Sequence, residues 1–495
     1  MSLEEKTGKQ TLKSRLQKPK KQWIKFGILA AAFIAFIVWH GNLTFVFLLL
    51  FIFDIYITQF IRWTWWKKTK NRTVYKVFSW VDAILFSLIG VYLINIYFFQ
   101  NYQIPTSSLE KSLLVGDFLF VSKVSYGARV PNTPLSFPMV QNTLPVFNTK
   151  SFFEKPQWNY RRLKGVDTIK RNDIVVFNFP TGDTVAVKRT NPDYYVSCYR
   201  EGAAYLRNNK PEIVQTPDLC YRYGREVIKN NTQEYGKLVY YPVDKRENYV
   251  KRCVGLPGDD LQIIENQVYV NGQQQEDFEG IQHNYFVQTD GTRLSRDFLQ
   301  SIDIRLEDIW ELDYRYAALI EHLGLEAGLP VYHFPLTVKM LEKIKTARGV
   351  KQVIIEPVLS SSAEDTFPLG FDKGWTRDNY GPLHIPKKGE TIALTADNYM
   401  IYERAIRTYE KNRLEMRDSV IYINGQPSSN YTFKMDYYWM MGDNRHNSAD
   451  SRSWGFVPED HIVGRPVFVW ISLDKDKSLF DGKIRWKRLF KNAKR

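Results

Sequence analysis

The sequence has few of the residues that metal, redox and nucleotide sites require. Its 495 residues include three cysteines and seven histidines, and the cysteines show no zinc-ligand spacing. The sequence also has no Walker loop and no dinucleotide-binding fingerprint. We therefore expect neither a cofactor nor a metal, so any chemistry must come from the side chains of the chain itself.

A histidine base is also missing, because no local motif reveals a Ser-His-Asp arrangement. A lysine can replace it when its amine is neutral. An ordinary lysine has a pKa of about 10.4. To act as a base at pH ~8, its pKa must be lowered by about 2 to 3 units, which burial can supply. In the strand pattern NYVKRCVG, Lys251 shares one face with Tyr249 and Cys253, while Val250 and Arg252 share the other.

Positive charge is abundant in this chain. The 68 lysine and arginine residues against 53 acidic ones give a net charge of +15. Such a balance can indicate nucleic-acid binding. Here the cations cluster beside apolar runs, which is typical of membrane topology signals and of contacts with anionic lipid. We therefore expect membrane lipids, and no nucleic acid, among the partners.

The long apolar runs lie near the N-terminus. Residues 1–22 are polar and lysine-rich, and we expect them to form a cytoplasmic tail. Residues 23–61 hold two apolar runs separated by His40-Gly41-Asn42. They predict a transmembrane hairpin of two helices, with one long tilted or interfacial helix as the alternative. Residues 62–77 form a basic, tryptophan-rich loop expected in the cytoplasm, and residues 78–99 would span about 33 Å as a helix.

Counting these crossings places everything after residue 99 on the outer face of the membrane. From Phe99 to Ser108 the chain reaches at most about 30 Å even when it is extended. Ser108 is therefore expected close to the lipid headgroups.

After the anchor, the pattern changes to short β-branched and aromatic runs broken by Gly, Pro and Asn. We predict a mainly β domain built from residues 100–275 and 416–474, with a basic C-terminal tail over residues 475–495. Two near copies, QVYVNGQ at 267–273 and VIYINGQ at 420–426, each predict a strand that runs into an Asn-Gly turn.

An insertion over residues 276–415 separates the two parts of this domain. Within it, residues 294–351 combine helical spacing with high charge. They predict a largely helical cap subdomain that has no chemistry of its own.

Four blocks of sequence carry a resemblance to a known family. They read YQIPTSSLEKSLLVGDFLFV at 102–121, RNDIVVF at 171–177, NYVKRCVGLPGDD at 248–260 and MGDNRHNSADSRSWGFVPED at 441–460. In this order, behind a membrane anchor, they resemble the type I signal peptidases, membrane-bound serine proteases that remove signal peptides from exported proteins. The resemblance implies a mainly β, signal-peptidase-like catalytic domain anchored by N-terminal transmembrane helices, with a mixed or helical insertion. It also implies the bacterial inner membrane, with the catalytic domain on the periplasmic side.

The reacting groups follow from the resemblance. It makes Ser108 the nucleophile, which forms an acyl-enzyme, and Lys251 its general base. Lys188 also precedes an arginine, but only Lys251 leads into Val-Gly-Leu-Pro-Gly-Asp, the family's signature after the base. The backbone N–H of Ser108 and the hydroxyl of Thr106 would hold the oxyanion.

The same resemblance assigns supporting roles to further residues. Ser448 would hydrogen-bond and orient the Lys251 amine, and Asp450 and Arg452 would form an ion pair beside it. The turn behind that pair would be built by Asp443, Asn444 and Arg445.

Substrate selection is expected from shallow apolar pockets around Ile104, Leu109, Tyr249 and Val250. They would admit small side chains at the first and third positions before the cut. This would select Ala-x-Ala-like sites in the signal peptides of secretory preproteins, laid in extended form along a strand edge.

The sequence departs from the family's pattern at five positions. Ser107 and Asn172 replace glycines, Leu109 replaces a methionine, Lys111 a proline and His446 a common aspartate. None of these is a reacting group, so the departures bear on loop stiffness and cleavage preference.

The cysteines give one more prediction. Cys198 and Cys220 precede Lys251 and would face an oxidising compartment outside the membrane. We predict that they pair and that Cys253 is a buried free thiol near the base.

Two other classes of function stay open at this point. A Ser-Lys dyad also occurs in self-cleaving repressor-type proteins, against which the membrane segments and the lack of a DNA-binding motif argue. A membrane-anchored β domain that binds exported peptides without cutting them is the second alternative. The presence of Ser108, Lys251 and Ser448 together favours the protease.

Overall fold

The computed structural model describes residues 15–61, 63–358, 366–371, 373–475 and 477–493. The chain divides into two units. One holds the N-terminal helices as far as Asn95, together with residues 162–164, and the other begins at Ile96. Most of the predicted cytoplasmic tail and Arg62 of the predicted basic loop lie outside the described residues.

The N-terminal unit contains two helices that are long and apolar enough to cross a membrane. The first is α1 (Lys20–His40), whose 21 residues give about 32 Å against a hydrocarbon core of roughly 30 Å. The next apolar run, Leu43–Thr58, includes α2 (Val46–Phe53) and reaches only about 24 Å. The second long helix is α3 (Arg72–Tyr97), with 26 residues. Two of the three predicted spans therefore have the expected length, and the hairpin stays a prediction.

Polar residues end both apolar runs of the predicted hairpin. Gly41 follows α1 in the left-handed conformation, with φ 70°, and the Asn42 side chain caps the next turn. The predicted break between the runs is thus confirmed. Asp54 accepts hydrogen bonds from the backbone N–H groups of Phe60 and Ile61 at 2.7 and 3.1 Å. These bonds bend the chain after the second run.

Strands outnumber helices in the second unit, which is mainly β as predicted. In chain order they are β1 (Phe99–Gln103), β2 (Asp117–Ser122), β3 (Ile174–Asn178), β4 (Thr184–Ala186), β5 (Leu238–Tyr240), β6 (Asn248–Gly255), β7 (Asp260–Ile264), β8 (Gln267–Val270), β9 (Gln273–Gln274), β10 (His283–Thr289), β11 (Trp310–Leu312), β12 (Val331–Leu336), β13 (Val350–Ile355), β14 (Tyr380–His384), β15 (Thr391–Ala393), β16 (Leu414–Arg417), β17 (Val420–Ile423), β18 (Gln426–Pro427), β19 (Asn430–Thr432), β20 (Tyr437–Met441), β21 (Val457–Pro458) and β22 (Ile462–Ser472). The helices of this unit are α4 (Tyr194–Asn209), α5 (Pro217–Asn230), α6 (Thr232–Tyr235), α7 (Arg296–Ser301), α8 (Ala317–His322), α9 (Val338–Lys345), α10 (Ala396–Arg404) and α11 (Ser451–Trp454).

The main sheet joins seven antiparallel strands in the order β1-β2-β22-β3-β6-β20-β21. Strands from both predicted parts of the β domain therefore meet in one sheet. Its central strand β3 is buried on both faces. Ile174 and Val176 pack in the cluster that contains Leu109, whereas Val175 and Phe177 pack on the other side. A strand covered on both faces appears in sequence as a continuous apolar run.

Both predicted Asn-Gly turns are confirmed. Asn271 and Gly272 connect β8 to β9 with φ of 52° and 75°, and Asn424 and Gly425 connect β17 to β18 with φ of 53° and 84°. Positive φ at both central residues is the requirement of a two-residue hairpin turn, which asparagine and glycine tolerate best.

The stretch 294–351 is mixed: short helices cover more of it than strands do, and the sequence did not predict its strands. Its helices α7, α8 and α9 have only six to eight residues. Strands β11, β12 and β13 join β10 in a four-stranded antiparallel sheet. Apolar side chains cover both faces of this sheet: Val287 and Phe334 pack in one cluster, Phe286 and Val331 in another. Strands buried on both faces lack the alternation that distinguishes a strand from a helix.

Helices α4 and α5, which the sequence reasoning missed, pack closely through glycines. A Cβ on Gly202 would lie 1.7 Å from the carbonyl oxygen of Cys220, and a Cβ on Gly224 would lie 1.7 Å from that of Cys198. The two cysteine side chains belong to separate apolar clusters. Neither forms a disulfide, so the predicted pairing is wrong, whereas Cys253 is a buried free thiol as predicted.

Candidate functional site

Ser108 and Lys251 meet in the interior of the second unit. Ser108 lies in a 3₁₀ turn between β1 and β2, and Lys251 lies in β6. Lys251 Nζ is 2.5 Å from Ser108 Oγ, and the two residues are 4% and 8% exposed. Lys188, by contrast, is exposed and donates to the carbonyl of Gln233.

The hairpin of β1 and β2 holds the turn that carries Ser108. Ile104 N donates to Asp117 O at 2.9 Å and Gly116 N donates to Ile104 O at 3.0 Å, which closes the loop. Leu109 and Leu113 bury beneath the turn at 2% and 1% exposure. Apolar burial on one side thus keeps the hydroxyl of Ser108 facing the strand that carries Lys251.

Lys251 has a pKa lowered to about 8 by its burial. Asp450 and Asp443 oppose this shift, and Arg452 adds to it. The ring of Tyr249, the neighbour on the same strand face, lies 5.9 Å from Nζ. A lysine in this setting exchanges its proton near neutral pH, which is the property that a general base needs.

Asp450 and Arg452 form a buried ion pair beside Lys251. Arg452 Nε and Nη2 donate to the two carboxylate oxygens at 2.9 and 2.8 Å, and Gly442 N donates to Asp450 at 3.0 Å. Burial alone would raise the pKa of Asp450, but Arg452 holds it below the ordinary value. Arg452 also donates to the carbonyl of Arg445 at 2.6 Å.

A second buried ion pair was missed by the sequence reasoning. Arg252 Nε and Nη2 each donate to Asp443 at 2.7 Å, and Nη1 donates to the Asn172 carbonyl at 2.7 Å. The same Asp443 carboxylate accepts from Ser112 Oγ at 2.5 Å. An arginine in an apolar strand, on the face opposite Lys251, was the available signal. The pair connects the strand of the base to the turn after β20.

The turn after β20 also contacts the nucleophile turn. Asn444 N donates to Ser108 O at 3.1 Å, and a Cβ on Gly442 would lie 2.7 Å from the same oxygen. Ser448 Oγ lies in this region, 2.2 Å from such a Cβ. Among the described residues this buried oxygen has no hydrogen-bond partner, so the expected bond from Ser448 to Lys251 is not formed.

The residues expected around the substrate divide between two clusters. Ile104 and Leu109 are 4% and 2% exposed and pack with the partly buried Val250. Tyr249 belongs to the opposite cluster, where it stacks on Phe179 with ring centroids 4.6 Å apart. Thr106 is exposed, with Oγ1 3.4 Å from Ser108 Oγ.

The edge of β6 beside Ser108 is the place where an extended chain would fit. Strand β20 pairs with β6 from Gly255 to Arg252, whereas β3 continues along its other edge to Asn248. Residues 248–251 therefore have one edge that the described strands leave unpaired. An open strand edge offers backbone groups to an extended peptide.

Three of the departures from the family's pattern have local explanations. Asn172 takes φ 72° where glycine is usual, and asparagine tolerates this region. Lys111 takes φ 74°, which a proline cannot adopt. His446 accepts a hydrogen bond from Asn284 N at 3.3 Å through Nδ1.

Within the described part of the chain, no group of three or more His, Cys, Asp or Glu side chains could hold a metal ion.

Two comparisons with known proteins, with a family model and with single relatives, point to the same family. The family described as signal peptidase, peptidase S26, matches residues 77–301 and 388–471. The chain is 39% identical over 424 residues to a signal peptidase I of Haemophilus influenzae, covering 86% of this chain and 78% of that protein. It is 22% identical over 420 residues to a signal peptidase I of Buchnera aphidicola, covering 85% of this chain and 84% of that protein. The chain therefore belongs to the signal peptidase family, peptidase S26.

Proposed function

We propose that this chain is a membrane-anchored serine endopeptidase that removes signal peptides from preproteins, with Ser108 as nucleophile and Lys251 as neutral base. The observation that carries the proposal is the 2.5 Å distance between Lys251 Nζ and Ser108 Oγ in a buried setting. Family membership supplies the reaction, which is hydrolysis of the bond between signal peptide and mature chain.

The neutral Lys251 amine takes the proton of Ser108 Oγ as Oγ bonds to the scissile carbonyl carbon. The carbonyl electron pair moves to oxygen, and the oxyanion is held by the Ser108 N–H and the Thr106 hydroxyl. The Lys251 ammonium then gives its proton to the leaving nitrogen as the C–N bond breaks, leaving an acyl-enzyme. A water that loses a proton to Lys251 hydrolyses this ester and frees Ser108.

The substrate would lie extended along the open edge of residues 248–251. Ile104 and Leu109 are buried, so the pockets beside Ser108 would be shallow and would favour small side chains before the cut. Such pockets would select Ala-x-Ala-like sites in signal peptides. Backbone hydrogen bonds to β6 would hold the peptide regardless of its other side chains.

The proposed location is the bacterial inner membrane, with several crossings and the catalytic unit on the periplasmic side. The length and composition of α1 and α3 support an anchor. The basic residues 62–77 support the orientation, because positive loops stay in the cytoplasm.

Lipid contact is proposed for an aromatic surface near the C-terminus. Phe120 stacks on Phe468 at 4.9 Å, Trp486 and Phe490 are each 69% exposed, and Phe490 N donates to Val469 O at 2.7 Å. The segment thus pairs with β22 instead of forming a solvated tail. Exposed rings among cations are typical of residues that enter a lipid interface.

The test of this surface is binding of the purified protein to vesicles of phosphatidylglycerol and phosphatidylethanolamine. Trp486→Ser with Phe490→Ser should weaken binding, whereas Tyr314→Ser, which removes a ring that is 87% exposed in the insertion, should not. Equal binding by all variants would reject lipid contact at this surface.

The test of the dyad is cleavage of a purified preprotein in detergent. Ser108→Ala and Lys251→Ala should each abolish release of the signal peptide while the protein still folds. Lys188→Ala should cleave like wild type, because this lysine is exposed and its amine donates to the Gln233 carbonyl. Cleavage by Lys251→Ala would reject the dyad, and wild-type protein that binds preproteins without cutting them would favour the peptide-binding alternative.

A further inference from the structure

The mixed insertion contacts the nucleophile turn through two consecutive residues. Lys111 Nζ donates to the Asp303 carbonyl at 2.6 Å and to its carboxylate at 2.8 Å. Glu110 Oε1 lies 3.8 Å from Arg305 Nε. Asp303 and Arg305 stand in one short segment just after α7. A single segment of the insertion therefore contacts Glu110 and Lys111, which are two and three residues after Ser108.

Glu110 is a buried carboxylate whose position needs a counter-charge. The residue is 2% exposed, and Oε2 has no hydrogen-bond partner in the described part of the chain. Burial raises the pKa of Glu110, and Arg305 is the largest opposing influence. An ionised carboxylate inside a protein is unfavourable unless a cation or hydrogen bonds compensate it. Arg305 supplies part of that compensation from the insertion, where it also pairs with Glu307 at 2.8 Å and Asp308 at 3.0 Å.

Lys111 has a backbone conformation that also needs support. Its φ of 74° lies in the left-handed region, which a lysine rarely adopts. The proline usual at this position could not adopt this conformation, because its ring holds φ at about −65°. This chain lacks that proline, and the Lys111 side chain is instead bound to Asp303 with only 13% exposure.

The conformation of these two residues affects the catalytic atoms directly. Glu110 N donates to Ser107 O at 2.9 Å and closes the turn that contains Ser108. The Ser108 N–H is a proposed oxyanion donor, and its direction is set by that turn. A shift of the turn would misplace both the donor and the Oγ nucleophile.

We propose that the segment with Asp303 and Arg305 is a positioning element, which holds the nucleophile turn in its reactive conformation through ion pairs to Lys111 and Glu110. The insertion thus takes part in catalysis without touching substrate. This inference rests on the proposed function of Ser108.

The first test does not require activity. Hydrogen exchange of peptides covering residues 107–113 is measured in the full-length protein in detergent. Arg305→Met should speed exchange of these amides by about tenfold or more, and Arg305→Lys should restore part of the protection. Arg315→Met is the matched control, because Arg315 pairs with Asp313 in an exposed part of the insertion. Unchanged exchange in Arg305→Met would overturn the proposal.

The second test separates positioning from general stability. Arg305→Met should lower kcat by about tenfold, with KM changed less than about twofold and an unchanged melting temperature. Adding Glu110→Gln should recover part of the rate, because it removes the uncompensated charge. Asp303→Asn is an independent test of the same prediction, because asparagine also tolerates the left-handed backbone conformation of residue 303. A rate loss matched by a loss of folded protein, or a double variant worse than Arg305→Met, would reject the inference. Absence of cleavage by wild type would instead reject the proposed function, which the exchange experiment does not depend on.

Discussion

Replacing Asp450 by asparagine should shift the pH dependence of cleavage to lower pH. The carboxylate of Asp450 favours the charged form of Lys251, whereas Arg452 disfavours it. An asparagine at this position would keep the shape and an acceptor for Gly442 N but remove the negative charge. The base would then keep the repulsion of Arg452 and the cost of burial, with Asp443 as the remaining carboxylate that favours its charged form, so the pKa of Lys251 should fall.

The magnitude follows from the pKa of about 8 for Lys251. At pH ~7 that value leaves about 10% of the amine neutral, against about 0.04% for an ordinary lysine, a ratio of about 250. Removing a nearby opposite charge shifts a pKa by about 1 unit or more. The neutral fraction at pH ~7 should therefore rise from about 10% to about 50%, and the rate relative to its plateau should rise about fivefold.

The assay is kcat/KM for a purified preprotein in detergent from about pH 6 to about pH 10, which reports the free enzyme. Wild type should show a limb that rises with pH and has its midpoint at about pH 8, because cleavage needs the deprotonated lysine. Asp450→Asn should lower the midpoint by about 1 unit. The midpoint does not depend on the fraction of molecules that fold, so lower stability of the variant does not disturb the comparison.

The control for this experiment is Asp313→Asn, which removes an exposed carboxylate bonded to Arg315. It should leave the limb in place. A midpoint in Asp450→Asn equal to or above that of wild type would refute the electrostatic argument. A wild-type midpoint near about 10 would show that the amine is not depressed by burial.

Three further predictions concern the oxyanion site, the helix pair and the topology. Thr106→Ala should lose on the order of a hundredfold in kcat without a change in melting temperature, whereas Thr106→Ser should keep most of the rate; equal losses would exclude a role for the hydroxyl. Gly202→Val should lower the free energy of unfolding by about 3 kcal/mol, measured by chemical denaturation, because its side chain would collide with the Cys220 carbonyl; an unchanged value would contradict the close approach of the helices. In intact cells, an impermeant thiol reagent should label Gln300→Cys and not Lys68→Cys, and the reverse pattern would overturn the proposed orientation.

Local features of this protein could be predicted from sequence because they depend on neighbouring residues. The Asn-Gly turns at 271–272 and 424–425 require only two residues that tolerate positive φ. The break at Gly41, the long apolar helix α3 and the β character of the second unit follow from local burial and backbone preference. The family motifs also identified Ser108 and Lys251 as the candidate reacting groups.

Other features depended on packing between distant segments. The helical spacing of residues 294–351 did not predict their sheet, because its strands are covered on both faces by short helices. The sequence suggested a disulfide between Cys198 and Cys220. The close contact of the helices at Gly202 and Gly224 instead places the two cysteine side chains in different apolar clusters.

The sequence by itself determined the family motifs, the apolar segments and the local turns, since each is encoded in a short stretch of chain. Only the tertiary structure decided the 2.5 Å approach of Lys251 to Ser108, the pair of Arg252 with Asp443, and the contact of Arg305 with Glu110. These contacts depend on how β1, β6, β20 and the insertion align in space. A shift of one residue in a strand would turn its side chains to the other face, so long-range register decides which charged groups meet.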